Sequence, residues 1–137
     1  MADDLSTALQ IAASGMRAQS GRVRVVAENL ANANSAAASP DLDPYRRQTP
    51  VFASRLDRTS GARLVEMTRV ALDPSAFTLR FDPSHPAADA EGYVRLPNVN
   101  PLVEMMDLRE AQRSYEANLG ALDTIRSMSA STIRILE

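Results

Sequence analysis

Apolar residues recur along this chain with two different periods, and the change of period divides it into three parts. From Asp4 to Ala33 the positions Leu5, Leu9, Ala12, Met16, Gln19, Val23, Val26, Leu30 and Ala33 keep a four-three rhythm, as a helix with a single packing seam does. Between Tyr45 and Leu96 alternation by two replaces it, with glycine and proline between short runs. Strands are predicted over Thr49–Leu56, over Ala62–Leu72, around Phe77, Leu79 and Phe81, and over Tyr93–Leu96. In the second, Leu64, Glu66, Thr68 and Val70 share one face, and Val65, Met67, Arg69 and Ala71 the other. After Asn98 the helical spacing returns as Leu108, Gln112, Tyr115, Leu119 and Leu122, followed by Ile125, Met128, Ile133 and Leu136 after a step of three that breaks heptad phase.

The ends of these helices are marked. Asn100 is placed to accept from the free N–H groups of a first turn, Pro101 stands where its missing N–H does no harm, and Glu104 complements the positive end of the dipole. No proline follows Pro101, so one helix runs to the last residues, some 50 Å long at roughly 1.5 Å per residue. The first helix stops at Asn32, Asn34 and Ser35, and Ser35–Pro44 is a loop by composition. The predicted organisation is an N-terminal helix over 1–34, a loop and small β-rich insert over 35–97, and a C-terminal helix over 98–137 that packs with 1–34. The fold class is mainly α with a small β insert, the two long helices forming an antiparallel coiled-coil stalk.

Composition sharpens this picture. Of 137 residues 45% are hydrophobic but only 4% aromatic, with no Trp, and alanine supplies much of the apolar content. Alanine buries little area, so close helix seams are expected rather than a deep core. Gly15 and Gly21 lie inside the first helix, at roughly 1 kcal/mol each against alanine, so that helix is marginal alone. The net charge of −2 makes no case for nucleic acid or an anionic membrane, and all fifteen basic residues are Arg. Without cysteine there is no disulfide or thiolate chemistry. The opening MADDLSTALQ lacks the basic and apolar regions of a cleavable signal, and no apolar run approaches the roughly 20 residues of a membrane span.

Signs of catalysis are poor. His85 is the only histidine, and a metal there would need Asp82 or Asp89 beside it; the stretch DPSHPAAD reads more simply as a proline-rich turn. No nucleophile elbow, glycine-rich phosphate loop or isolated carboxylate pair is present, Asp3 and Asp4 lying where water reaches them. No catalytic, cofactor or metal residue is assigned. What remains is assembly: seams with small or polar members, Gln19, Gln112 and Asn118, that bury fully only when further copies pack on them.

Three stretches carry a resemblance. ALQIAASGMRAQSGRVRVVAENLANANS, with its SGM and the Asn-Leu-Ala-Asn of Asn29–Asn32, resembles the signature of the bacterial flagellar rod, hook and hook-associated family. DPSHPAADAEGYVRLPNVNPLVEMMDLREAQRSYEANLGALDTIRSM is similar to the C-terminal half of the proximal rod members of that family, in Pro97–Val99, Glu104 with Met105, and Arg113, Tyr115 and Asn118. DPYRRQTPVF is similar to the segment after their first helix. The resemblance implies a structural subunit of the proximal rod, exported without a cleaved signal by the flagellar type III apparatus. Its place is the basal body across the periplasm, between rotor and hook, where it transmits torque. It implies as partners the rod proteins FlgB, FlgF and FlgG, the adaptor FliE and further copies of the chain, with no nucleic acid and no membrane insertion. Relatives often carry an early phenylalanine tied to docking at the export gate; here none precedes Phe52, leaving Leu5 or Leu9 for that place.

Together these readings predict an assembly interface in which Leu9, Met16, Val23, Val26 and Leu30 pack against Leu108, Tyr115, Leu119, Leu122 and Ile125, within or between subunits, with Leu5, Met105 and Met128 also in the interface. Asn29, Asn32 and Asn118 are placed as polar contacts that set register, or else as caps and water-facing groups. A soluble coiled-coil adaptor or chaperone of flagellar export is the alternative. A wall-lytic enzyme, the third class, lacks an acid or nucleophile constellation.

Overall fold

The computed structural model describes residues 2–136, without the side chains of Ala2, Asp3, Ile133, Ile135 and Leu136. Asp3 and the seam positions Ile133 and Leu136 therefore lie outside the described side chains. The order of elements is α1 (Ala2–Ala31), β1 (Gln48–Leu56), β2 (Arg63–Leu72), β3 (Thr78–Phe81), β4 (Tyr93–Leu96) and α2 (Pro101–Leu136). Two helices enclose a small β middle along the sequence, as the periodicity predicts, and each strand falls within a residue or two of its expected place.

Local chemistry accounts for the boundaries. At the start of α2, Asn100 Oδ1 accepts from the N–H of Leu102 at 3.0 Å and of Val103 at 3.4 Å, while its carbonyl takes the Glu104 N–H at 3.1 Å. Pro101 is the first helical residue. At the end of α1, Asn32 Nδ2 donates to the Glu28 carbonyl at 2.9 Å, and its Oδ1 takes the Ser35 hydroxyl.

The strands form two separate two-stranded sheets, β1 with β2 and β3 with β4. The β1–β2 hairpin is closed at its turn by the Asp57 N–H on the Ala62 carbonyl at 2.8 Å. In the second sheet β3 and β4 are antiparallel, Leu79 opposite Arg95 and Phe81 opposite Tyr93. Gly92, before β4, has φ +86°, and a Cβ there would sit 2.9 Å from the Phe81 ring, so both backbone and space call for glycine.

Residue contacts cluster into two compact units, each drawing on both helices. The first comprises Met1–Val23, Pro50–Arg69 and Arg109–Glu137; the second, Arg24–Thr49 and Val70–Leu108. In the first the buried apolar residues are small: Ala12, Ala18, Ala62 and Ala111, with Leu64 the largest. The face of α1 bearing Ser14, Ala18 and Gly21 admits β2. Ser14 Oγ donates to the Ile11 carbonyl and accepts the Val65 N–H, and Gly21 lies under Met67. Burial along β2 falls on Leu64, with Met67 and Ala71 half-buried. In the second unit Val25, Val26, Ala33, Ala87, Val94 and Val99 are buried around a polar centre.

Candidate assembly interface

That polar centre is built on Asn29 and Glu104, both fully enclosed. Asn29, on the last turns of α1, donates from Nδ2 to the Gln48 carbonyl at 2.8 Å and to Glu104 Oε2 at 3.0 Å. Its Oδ1 accepts from the Gln48 N–H and the Tyr45 hydroxyl, both at 2.8 Å. Both acceptor sites of the Asn29 amide oxygen and both hydrogens of its nitrogen are thus engaged. Glu104 Oε1 accepts from Arg47 Nε at 2.6 Å, with 0% of the Glu104 side chain exposed. Arg47 reaches Asp73 Oδ2 at 3.3 Å and Asp107 Oδ2 at 3.6 Å, and its backbone N–H donates to Asn98 Oδ1 at 2.7 Å. Asn98 Nδ2 in turn holds the Asp73 carbonyl and Ser75.

The electrostatics follow from this packing. Burial opposes the charge on Arg47, but hydrogen bonds and charges from Glu104 and Asp73 outweigh it and hold the guanidinium above its ordinary pKa. Backbone and side-chain hydrogen bonds from Ser75, then Arg47, hold Asp73 below its usual range. Burial, with the charges of Glu28 and Glu104, raises Tyr45 and keeps it a hydroxyl donor. A buried carboxyl group bonded on both oxygens joins three segments of chain and acts as a clasp.

In the first unit α1 and α2 meet over Gly15. An added Cβ there would stand 2.9 Å from both terminal atoms of Asn118, whose Nδ2 donates to the Ser114 carbonyl. A groove of about 390 Å³ is lined by Ser20, Val23, Gln112, Tyr115 and Glu116. A second of about 330 Å³ is lined by Ala13, Met16, Arg17, Ser20, Tyr115 and Leu122. Gln19 Oε1 is buried in this unit without a hydrogen-bond partner.

The expected interface residues divide by exposure. Val26 and Asn29 are buried; Leu5, Leu9, Met16, Val23, Leu30, Asn32, Leu108, Asn118, Leu122 and Ile125 are half-buried. Met105, Tyr115, Leu119 and Met128 face outward. Asn29 makes a long-range contact, Asn118 covers a glycine, and Asn32 closes its own helix. On α2 the enclosed positions are Glu104 and Ala111, with Asn118 and Ile125 half-buried at the same spacing of seven. Ala111 is covered where Gln112 had been placed. The sequence reading gives no role to Arg47, Asp73 or Tyr45; it takes Asn98 only within the Pro97–Val99 of the resemblance, and Glu104 as a dipole partner and a resemblance residue, not as a buried acceptor. His85 has its Nδ1 on the Ala87 N–H, within a turn, and among the described residues no cluster of ligating side chains fits a metal ion.

The clasp joins the two parts of the chain that match known families. Residues 9–36 match the family described as flagella basal body rod protein, and residues 90–135 the family described as flagellar basal body rod FlgEFG protein C-terminal. Asn29 lies in the first, Asn98 and Glu104 in the second. The chain is 49% identical over 135 residues to the flagellar basal-body rod protein FlgC of Agrobacterium fabrum, covering 98% of this chain and 97% of that protein. It is 36% identical to the FlgC of Borreliella burgdorferi, over 97% and 98% of the two chains, and 39% identical to that of Escherichia coli O6:H1, over 91% and 92%.

Proposed function

Because this chain belongs to the FlgC family of flagellar basal-body rod proteins, and is a structural subunit of the rod, we propose that α1 and α2 form an antiparallel coiled-coil stalk completed by neighbouring subunits. The observation that carries this reading is the mismatch along α2. Its fully enclosed positions hold an acid and an alanine, with Leu108, Asn118, Leu122 and Ile125 half-buried, while Leu102, Met106, Leu119 and Met128 stand in solvent. A 36-residue helix with its larger apolar side chains outside gains most of its burial from another molecule.

The enclosed residues hold the subunit's own register and the outward ones meet the neighbours. Met105, Tyr115, Leu119 and Met128 belong to the second group. Buried Val26 belongs to the first, and the half-buried Val23, Leu30, Leu108, Leu122 and Ile125, with Leu5, Leu9 and Met16, are assigned to it as well. The neighbours proposed are FlgB, FlgF, FlgG, FliE and further copies of this chain, in the rod as it crosses the periplasm. Passage there is by the flagellar type III apparatus without a cleaved signal; among the described residues no helix is long and apolar enough to cross a membrane. The assembly is helical and heterologous, since a closed two-fold pair transmits no torque along an axis. The role is structural, with no reaction assigned.

Electron cryotomography of cells lacking the gene, beside cells carrying it back, tests the reading. A membrane ring without rod or hook, restored by the gene, is the expected result. Rods and hooks that form without it would replace the structural role with that of an export adaptor or chaperone.

A further inference from the structure

Two exposed patches on this chain are unlike one another and complementary. The tip of the β1–β2 hairpin carries Leu56, 58% exposed, beside Arg58 and Arg63, which make no ion pair among the described residues. Glu66, an acid of the same hairpin, is already held by Arg55 at 3.0 Å, and Asp57 is turned onto the Thr59 N–H at 2.9 Å. The tip therefore presents one exposed leucine flanked by free positive charge. The β3–β4 hairpin presents Phe81, 64% exposed, against Tyr93 in an edge-to-face pair with centroids 5.3 Å apart. Glu91, exposed in the turn before Tyr93, has only its backbone N–H engaged, on Asp89. This patch is apolar with free negative charge.

The charge asymmetry extends beyond these residues. Pro50–Arg69 holds four arginines against Asp57 and Glu66, whereas Val70–Leu108 holds six carboxylates against Arg80 and Arg95. Both hairpins are two-stranded, and such a ribbon with an uncovered apolar face is marginal in water without something to pack against.

We propose that the β1–β2 tip of one copy docks on the Phe81–Tyr93 face of a second copy. Leu56 lies against the aromatic pair, and Arg58 and Arg63 lie opposite Glu91. The two patches differ and sit on the same chain, so the contact is head-to-tail and repeats from copy to copy, as a helical shaft requires and a closed dimer does not. Like charges would meet if either patch faced its own kind, which sets the direction of the contact. The inference rests on the rod-subunit reading and adds a second contact outside the helices.

The chain has no cysteine, so paired cysteines report the contact without background. Cells carrying Arg58→Cys with Glu91→Cys as their only copy are treated with a short thiol cross-linker, and their basal bodies purified. A ladder of multimers of this chain, absent from both single variants, is expected. The chain present in basal bodies but remaining monomeric, or joined only to a different protein, would overturn the contact. Its absence from basal bodies of swimming cells would overturn the rod reading instead. Charge reversal gives an independent arm: Glu91→Arg and Arg58→Glu each reduce the swimming halo, and their combination restores it. Two single variants that swim normally, or a combination no better than either, count against the contact.

Discussion

With its side chain out of water, Glu104 is held by its donors alone, Arg47 Nε at 2.6 Å and Asn29 Nδ2 at 3.0 Å. Glu104→Ala leaves the Arg47 charge and the Asn29 amide without their common acceptor. Loss of one partner of a buried pair lowers stability by about 3–5 kcal/mol, and Glu104→Gln, which keeps an acceptor and the volume, is expected to lose less. Urea unfolding measures both; midpoints equal to the parent's would remove the clasp as a structural centre. Asp73 gives the pH dependence. Its carboxyl is held below the ordinary 3.8, so its stabilising contribution is complete above that value and disappears as pH falls through the lower folded-state pKa. Unfolding of the parent and of Asp73→Asn is therefore expected to differ most near neutrality and to converge in acid. A gap that widens toward acid would have the wrong sign.

At the level of elements, two helix glycines separate backbone propensity from packing. Gly120, within α2, has nothing within 4 Å of an added Cβ, whereas Gly15 has Asn118 at 2.9 Å. Gly120→Ala is expected to stabilise by about 1 kcal/mol, the ordinary helix preference. Gly15→Ala has the same backbone gain offset by displacement of Asn118 across the seam. Thermal unfolding that ranks Gly15→Ala above Gly120→Ala would contradict the close approach. The same helices show what periodicity and composition can reveal. Their ends were legible because Asn100, Pro101 and the asparagines at Asn32 and Asn34 act within one turn. The phase of α2 was only partly legible, since ranking by hydrophobicity favours Leu119 and Met128, both outward, over Ala111, which is enclosed because it is small. The clasp was not legible. Asn29, Arg47, Asp73, Asn98 and Glu104 are far apart along the chain, and no local period marks a contact between them.

For the whole subunit, a thin alanine-rich seam makes polar intrusion decisive. Leu122 is half-buried in the groove with Met16 and Tyr115, and Leu122→Asp is expected to abolish rod assembly while leaving export largely intact. Motility and the secreted fraction measure the two separately; normal swimming would remove Leu122 from the seam. The clasp has a further consequence for a chain that emerges from its N-terminus. Asn29, Arg47 and Asp73 all appear before the residue that binds Asn29 and Arg47 together. Until Glu104 arrives, Arg47 has no reason to leave water, and the earlier segments gain little by closing. The carboxylate thus acts as a completion signal, delaying closure of this unit until about three-quarters of the chain has emerged.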